Sequence, residues 1–581
     1  MSLSFDKNLY FFTILSLYKN IFSLLFFFLC CCQLYTQNLS LFIKGKDSTE
    51  TKIIEDLKYK SDHPSFSSIQ KEVKHTFKKL ERIGYINIQS TPLQKIKDSV
   101  YTTTLNLNKK QNDIKVFYSS DQLSTKQLQK IGVKNTTDYF IIPFTKAEET
   151  LQKLNDIFIN EGKPFSNLKL IDLALDKENQ LIANLHIDIS NQRLVDSITI
   201  KGYEKFPKSY IKNFIRIKKG QVFNKTKLDK KVLDLKNLNF VNVPRNPEVL
   251  FTKDQTVLYL YLEKKNSNNF EGFLGFSTDE ETGNFQLDGD ISLSLVNNLN
   301  YGESLAIHYK NTGTNQQHFN TQLKLPYIFS TPFGVKLELD LFKQDSSYTT
   351  NSQSAKLNYQ INSKWEIESG YKNTSSTDLL KDNSSLIGQN FDSFDAYFIT
   401  FGGNYLDRNT ENPLFPIQTD LNFTIGFGQR DREAEKSNQQ NVVFSGAHIF
   451  NIDYRNSIYV SSDVSVLFSD NYISNELFRF GGVHSVRGFE ENSLSASFFS
   501  GIQSEYRFLL SPSLYAHSII DYAHLKNDVQ NEKNNLYGIG FGLGLQTKAG
   551  LLNLAFANGK SDGESFKFEN TKVHISLIAS F

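Results

Sequence analysis

Cysteine is almost missing from this chain: there are three in 581 residues, and they are consecutive, Cys30, Cys31 and Cys32. They close an apolar stretch, Ile21–Leu29, that follows Lys7 and Lys19. A basic start and then a short greasy core read as a secretory signal peptide over residues 1–36, with cleavage near Thr36–Gln37. Two other readings stand beside it. Leu9–Cys32 would serve as an uncleaved anchor helix, although Lys19–Asn20 interrupts it, and one of the cysteines would carry a lipid, although the residues before them fit such a signal poorly. Without the signal the mature chain has no cysteine, which excludes disulfides and thiolate chemistry. Long hydrophobic runs are missing too. After residue 40 no apolar run reaches the ~20 residues of a spanning helix, so a membrane form of this chain has to be a closed barrel. Excess charge of either sign is absent: the net charge is +2, which gives no case for nucleic acid as a partner. There is no Gly-rich phosphate loop and no His/Cys cluster. The expectation is therefore no enzyme, no metal and no cofactor, and His484 reads as a lone surface histidine.

Aromatic residues, by contrast, are plentiful at 13%, while mean hydropathy is negative. A barrel reconciles the two, because only one face of each strand meets lipid and its rims carry aromatic girdles. The chain closes on Val573, Ile575, Leu577, Ala579 and Phe581, which alternate with mostly polar residues. Successive side chains of a strand point to opposite faces, so this last strand is greasy on one face up to its terminal aromatic. Residues 268–581 keep this grammar throughout. At about 20 residues per strand with its turns they hold about sixteen strands, centred from Phe273, Ile291 and Ile307 through Gly501 and Tyr515 to Gly540, Leu554 and Ile575. Leu337, Leu339 and Leu341 share one face, and polar breaks such as Thr312–Asn315 and Lys526–Asn534 separate strands. The plainer alternative is a large soluble β-domain.

Before the barrel segment the chain mixes helix and strand in three similar units. The first, residues 39–119, opens with Leu39–Gly45. It continues with a helix showing Ile69, Val73, Phe77 and Leu80 at 3–4 spacing, and ends in strands Ser99–Leu107 and Asp113–Tyr118. The second, 136–191, has strand Asp138–Pro143, a helix with Leu151, Leu154 and Phe158 on one face, and two closing strands. The third, 193–265, has strand Leu194–Lys201, a helix starting near Pro207, the turn Gly220-Gln221-Val222-Phe223-Asn224, a second helix and two strands. A generic α+β domain is the bland reading of any one of them. In series, and with the Gly-x-x-Phe-Asn turn, they resemble POTRA domains, which implies a periplasmic place and the capture of client chains along exposed strand edges.

The long loop expected at about Ser469–Ser495, between the eleventh and twelfth strands, contains Phe480-Gly481-Gly482-Val483-His484-Ser485-Val486-Arg487-Gly488-Phe489. Val486, Arg487, Gly488 and Phe489 resemble the Val-Arg-Gly-Phe of the sixth external loop in the BamA/TamA family of outer-membrane assembly and translocation barrels. Asp407-Arg408-Asn409 with Pro413–Pro416, and Asn298-Leu299 with Gly302-Glu303, are similar to turns of the same family. The resemblance implies a fold of α+β POTRA repeats followed by a sixteen-stranded antiparallel transmembrane barrel. It also implies a loop folded into the lumen, with Arg487 paired to wall acids. Glu505 and Asp521 match those acids, and each is also readable as a plain lumen-facing carboxylate. Phe581 matches the family's C-terminal targeting signal. The implied protein sits in the bacterial outer membrane, against its lipid, and binds unfolded outer-membrane or secreted clients, with a periplasmic or inner-membrane partner in reach. Work would be done at the POTRA edges and at a labile seam between first and last strands, where Gly272 and Gly275 either weaken pairing or simply relieve crowding. Three soluble units look most like the TamA branch. The alternatives are a two-partner-type transporter exporting one dedicated substrate, and a passive porin.

Overall fold

The computed structural model describes residues 38–278, 285–311, 316–380, 391–409, 412, 414–433, 435–483 and 485–581. The signal segment 1–36 with its cysteines, the break at 312–315, Pro413 and His484 lie outside the described residues. The chain forms two compact units, one ending at Gln192 and one running from Arg193 to Phe581.

The first unit holds two sheets. In one, Leu39–Gly45 runs parallel to Val100–Asn106, flanked by the short strands Asp62–His63, Gln89–Ser90 and Gln94–Lys97. Helices Ser48–Asp56 and Phe66–Arg82 begin where Asp47 and Ser65 accept from the backbone N–H groups of Glu50 and Ser68, each satisfying an orphan donor of the first turn. Ile69 and Leu80 of the longer helix are fully buried against Leu41, Ile43 and Leu105. The second sheet corrects the expected domain boundary. Asp113–Phe117, expected to close the first unit, lies at the centre of the second sheet, between Tyr139–Pro143 and the parallel strand Leu181–Asp188. Its Ile114 and Val116 enter the second core with Phe140, Leu154 and Phe158. The second domain thus starts near Asp113 and not near Thr136. It includes a short helix, Thr125–Lys130, started by a capping box between Ser124 and Gln127.

The third α+β domain belongs to the second unit. Ser197–Gly202 runs parallel to Thr256–Lys264, which also pairs with Glu248–Phe251 and Val241–Asn242. The Gly-x-x-Phe-Asn turn divides its labour. Phe223 is buried edge-on against Phe251 at 5.2 Å, and Asn224 accepts from the Lys227 N–H at 2.9 Å to start helix Lys225–Leu233.

Sixteen strands then close an antiparallel barrel. In chain order they are Asn269–Thr278, Phe285–Val296, Ser304–Asn311, Gln316–Leu325, Phe333–Gln344, Tyr348–Gln360, Trp365–Asp378, Phe394–Arg408, Ile417–Arg432, Glu435–Asn451, Asn456–Ser469, Phe498–Ser511, Leu514–Asn527, Glu532–Gln546, Leu551–Ser561 and Thr571–Ser580. Alternation sorts their side chains by solvent. On the seventh strand Trp365, Ile367 and Tyr371 face outward, while Glu366 and Glu368 are buried inward. There they accept from Lys324 at 2.7 Å and Lys356 at 2.5 Å, which lie on other strands. Val573, Ile575 and Leu577 of the last strand are likewise exposed on the outer face. An apolar exterior around an ion-paired interior is the division that lipid outside and water inside require.

Candidate functional site: a lumen loop and a barrel seam

The segment between the eleventh and twelfth strands leaves the wall and folds back into the barrel. Its two limbs pair as a short ribbon, Phe478–Phe480 with Leu494–Ala496. Phe480 stacks on Phe499 of the twelfth strand with ring centroids 3.8 Å apart. Val486 is fully buried beside Ala523 of the thirteenth strand and Leu536 of the fourteenth. These apolar contacts bring Arg487 against the inner wall.

Arg487 is 4% exposed. Its Nε donates to Asp521 Oδ2 at 2.9 Å and its second terminal nitrogen to Asp521 Oδ1 at 2.5 Å. Its remaining terminal nitrogen donates to Glu505, and its backbone N–H donates to Asp521 Oδ2 at 2.9 Å. The planar fork thus meets one carboxylate bidentately and a second end-on, the arrangement in which guanidinium bonds are strongest. Glu505 also accepts from Arg507 Nε at 2.7 Å. Arg507 in turn lies over the rings of Phe415 and Tyr459, at 4.7 and 4.2 Å. Phe415 comes from the turn before the ninth strand, whose likeness to a family turn was noted above. Its buried ring packs edge-on against Tyr515 at 4.8 Å.

Gly488 has φ +95°, and a Cβ there would sit 2.3 Å from the Gly559 nitrogen. The tip therefore needs glycine both for its backbone conformation and for its approach to the fifteenth strand. The ring of Phe489 lies where a side chain on Gly559 would be, and the Arg487 carbonyl lies where one on Gly538 would be.

A second grip on the loop escaped the sequence reading. Arg430 on the ninth strand is 1% exposed. It donates to Glu476 of the loop at 2.6 Å and to the side chain of Asn471. Glu476 also accepts from Gln439 at 2.8 Å. Beside it Ile473 is fully buried with Phe394, Ala396 and Phe398. The signal was an arginine at an inward position of an alternating strand, where an unpartnered guanidinium is costly. Sequence alone could not say which loop carboxylate came to meet it.

The seam between first and sixteenth strands is thin. It consists of the pairs Asn269–Ser580 and Phe270–Ala579, extended by the Phe581 N–H donating to Asn268 at 2.9 Å. Phe581, the expected targeting residue, thus ends the chain at the seam. From Leu577 back to Thr571 the sixteenth strand pairs, among the described residues, only with the fifteenth. Gly272, two residues past the last seam pair, has φ +137°.

The third α+β domain is docked on the barrel turns at the end where the seam is paired. Tyr210 donates to the Gly302 carbonyl at 3.0 Å and packs edge-on against Tyr327 at 4.9 Å. Asn297 Nδ2 donates to the Tyr203 hydroxyl at 2.7 Å. Burial holds the Tyr210 hydroxyl well above its ordinary range, so it stays protonated and able to donate.

The family model for the POTRA domain, described as surface antigen variable number repeat, matches residues 194–264. No curated protein matches the chain in sequence. Among solved structures, CdiB from Acinetobacter baumannii is 15% identical over 88% of this chain and 98% of that chain, with a TM-score of 0.50. CdiB from Escherichia coli is 14% identical over 89% and 98%, with a TM-score of 0.51. BamA from Haemophilus ducreyi lacking POTRA domains 1-3 is 15% identical over 80% and 99%, with a TM-score of 0.47. A POTRA domain leading into a closed sixteen-stranded barrel with an apolar exterior defines an outer-membrane barrel protein. Within that class the chain shares the fold of the two CdiB structures, a POTRA domain followed by the barrel.

Proposed function

We propose that this protein inserts other proteins into the outer membrane or passes them across it, by binding and deformation and not by bond chemistry. The observation that carries the reading is the seam: two residue pairs join strands of ten residues each. Unpaired backbone cannot stay exposed in lipid, so a seam this short is poised to accept a client strand in place of its own partner. The POTRA domains, on the periplasmic side, hold unfolded clients before insertion. Ser197–Gly202 supports this, because among the described residues it is an edge strand, hydrogen-bonded to a strand on one side only.

Three soluble domains favour the TamA branch. A dedicated two-partner exporter would be expected to carry a lumen-plugging helix near its start. Of residues 38–50, however, 39–45 form a sheet strand and Ser48 starts a helix of the first soluble domain. Depletion followed by a census of outer-membrane proteins tests the reading. Broad loss of barrels supports it. Loss of a single secreted protein points to the dedicated exporter, and a steadily open pore in single-channel recordings points to a porin. Both overturn it.

A further inference from the structure

The Arg487 tip is followed directly by two acids, Glu490 and Glu491, and they reach opposite sides of the seam. Glu490 accepts from Lys572 Nζ at 2.8 Å, on the sixteenth strand. Glu491 pairs with Lys310 on the third strand. Lys310 is also 3.2 Å from Asp290 on the second strand, and His308 meets the same Asp290 at 3.2 Å. Asp290 stands opposite Phe273 of the first strand, so this group is fastened to the seam's other lip.

The positions matter. The backbone pairs Asn269–Ser580 and Phe270–Ala579 lie at one end of the seam. Lys572 lies at the other end of the sixteenth strand, beside Thr571 where that strand begins. At ~3.3 Å per residue it is on the order of 20 Å from the last backbone pair. Adjacent carboxylates of one loop thus hold the sixteenth strand directly and the first strand's side of the seam through Lys310 and Asp290 of the third and second strands, where backbone pairing across the seam is missing.

We propose that Glu490 and Glu491 are positioning residues that clasp the unpaired part of the seam, so that seating of the loop and closure of the seam are one equilibrium. The inference rests on the reading that the seam opens to admit clients. The coupling is physical: Arg487 is fixed at Asp521 and Glu505 three residues before Glu490, and lifting the tip withdraws both carboxylates together. The clasp is also weak enough to release, since Glu490 is 73% exposed and Lys572 39%, and exposed ion pairs are modest and screened by salt.

Cross-seam disulfide formation tests it, using Phe270→Cys with Ala579→Cys in chains whose Cys30, Cys31 and Cys32 are changed to serine. The rate reports the closed fraction, and heat-modifiable gel mobility confirms a folded barrel. Glu490→Lys, which sets like charges against Lys572, is expected to slow the reaction about threefold. The swap Glu490→Lys with Lys572→Glu is expected to restore it, and 1 M salt, at roughly a 3 Å screening length, to slow the parent similarly. The milder pair Glu490→Gln with Glu491→Gln should fall between. Unchanged rates in Glu490→Lys, or a swap that fails to restore them, overturn the clasp. A separate arm judges the reading beneath it: if the disulfide-locked chain still supports outer-membrane assembly, seam opening itself is refuted, whatever the rates show.

Discussion

A guanidinium taken out of water is costly unless its donors find acceptors, and Arg487 meets that demand with two carboxylates and no slack. Removing one partner of such a pair leaves an uncompensated buried charge, at about 3–5 kcal/mol. Arg487→Ala is therefore expected to free the loop, seen as new protease cleavage between residues 470 and 497, while the POTRA domains stay folded. Arg487→Lys should rescue little, because an ammonium cannot bridge Asp521 bidentately and reach Glu505 together. Equal protease resistance in mutant and parent would refute the role of this pin. Glu476→Gln is expected to loosen the ascending limb by weakening its bond to Arg430, with cleavage confined to the stretch around Ile473. At this scale the motif Val486–Phe489 was legible in sequence, and strand parity marked Glu505 and Asp521 as inward acids. Gly538 and Gly559 were not legible as room for the loop, because that depends on which backbone the folded loop approaches.

Among the elements, the barrel strands were the clearest, because a two-residue period over ten or more residues leaves little choice. Every expected strand centre falls inside one of the sixteen strands. The soluble domains were harder. Asp113–Phe117 follows the first domain closely in sequence yet pairs in the second sheet, and parallel pairing leaves no local mark, since its partner, Leu181–Asp188, is distant in the chain. The joint between the third domain and the barrel turns has no local mark either, because Tyr203 and Tyr210 meet Asn297 and Gly302, which lie far along the chain. Its pH response follows from Tyr210. A tyrosine whose folded pKa is raised contributes stability that is fully present below the unfolded value and is lost as pH rises above it. The joint is therefore expected to hold constant through neutral pH and to weaken only as pH climbs beyond about 10, measured as proteolytic release of the domain from the barrel. Tyr210→Phe should cost about 1–3 kcal/mol by leaving the Gly302 carbonyl without this donor, and should reduce this alkaline loss. The rest of the loss comes from Tyr203 and Tyr327, whose hydroxyls burial also holds above their ordinary range.

The whole molecule combines a wall that lipid stabilises with one line along which it is hardly closed. Under the proposed function, locking that line with the Phe270→Cys and Ala579→Cys pair is expected to abolish the proposed activity in oxidising conditions and to restore it on reduction, scored by the outer-membrane protein census. The mature chain should also need detergent or lipid to stay monodisperse, since the outward Phe, Ile and Leu residues form a continuous apolar belt far larger than soluble monomers expose. Alternation along the strands was enough to give the second half about sixteen strands and to tell the apolar face of each from the polar one, because both properties reside in neighbouring residues. The sequence also showed, through resemblance, which loop and which arginine to watch. How the loop is held, the second grip by Arg430, the reach of Glu490 and Glu491 to strands on either side of the seam and the seam's length of two pairs emerge from the fold. Those facts depend on register and on through-space distance between residues far apart in the chain, and neither is written in local order.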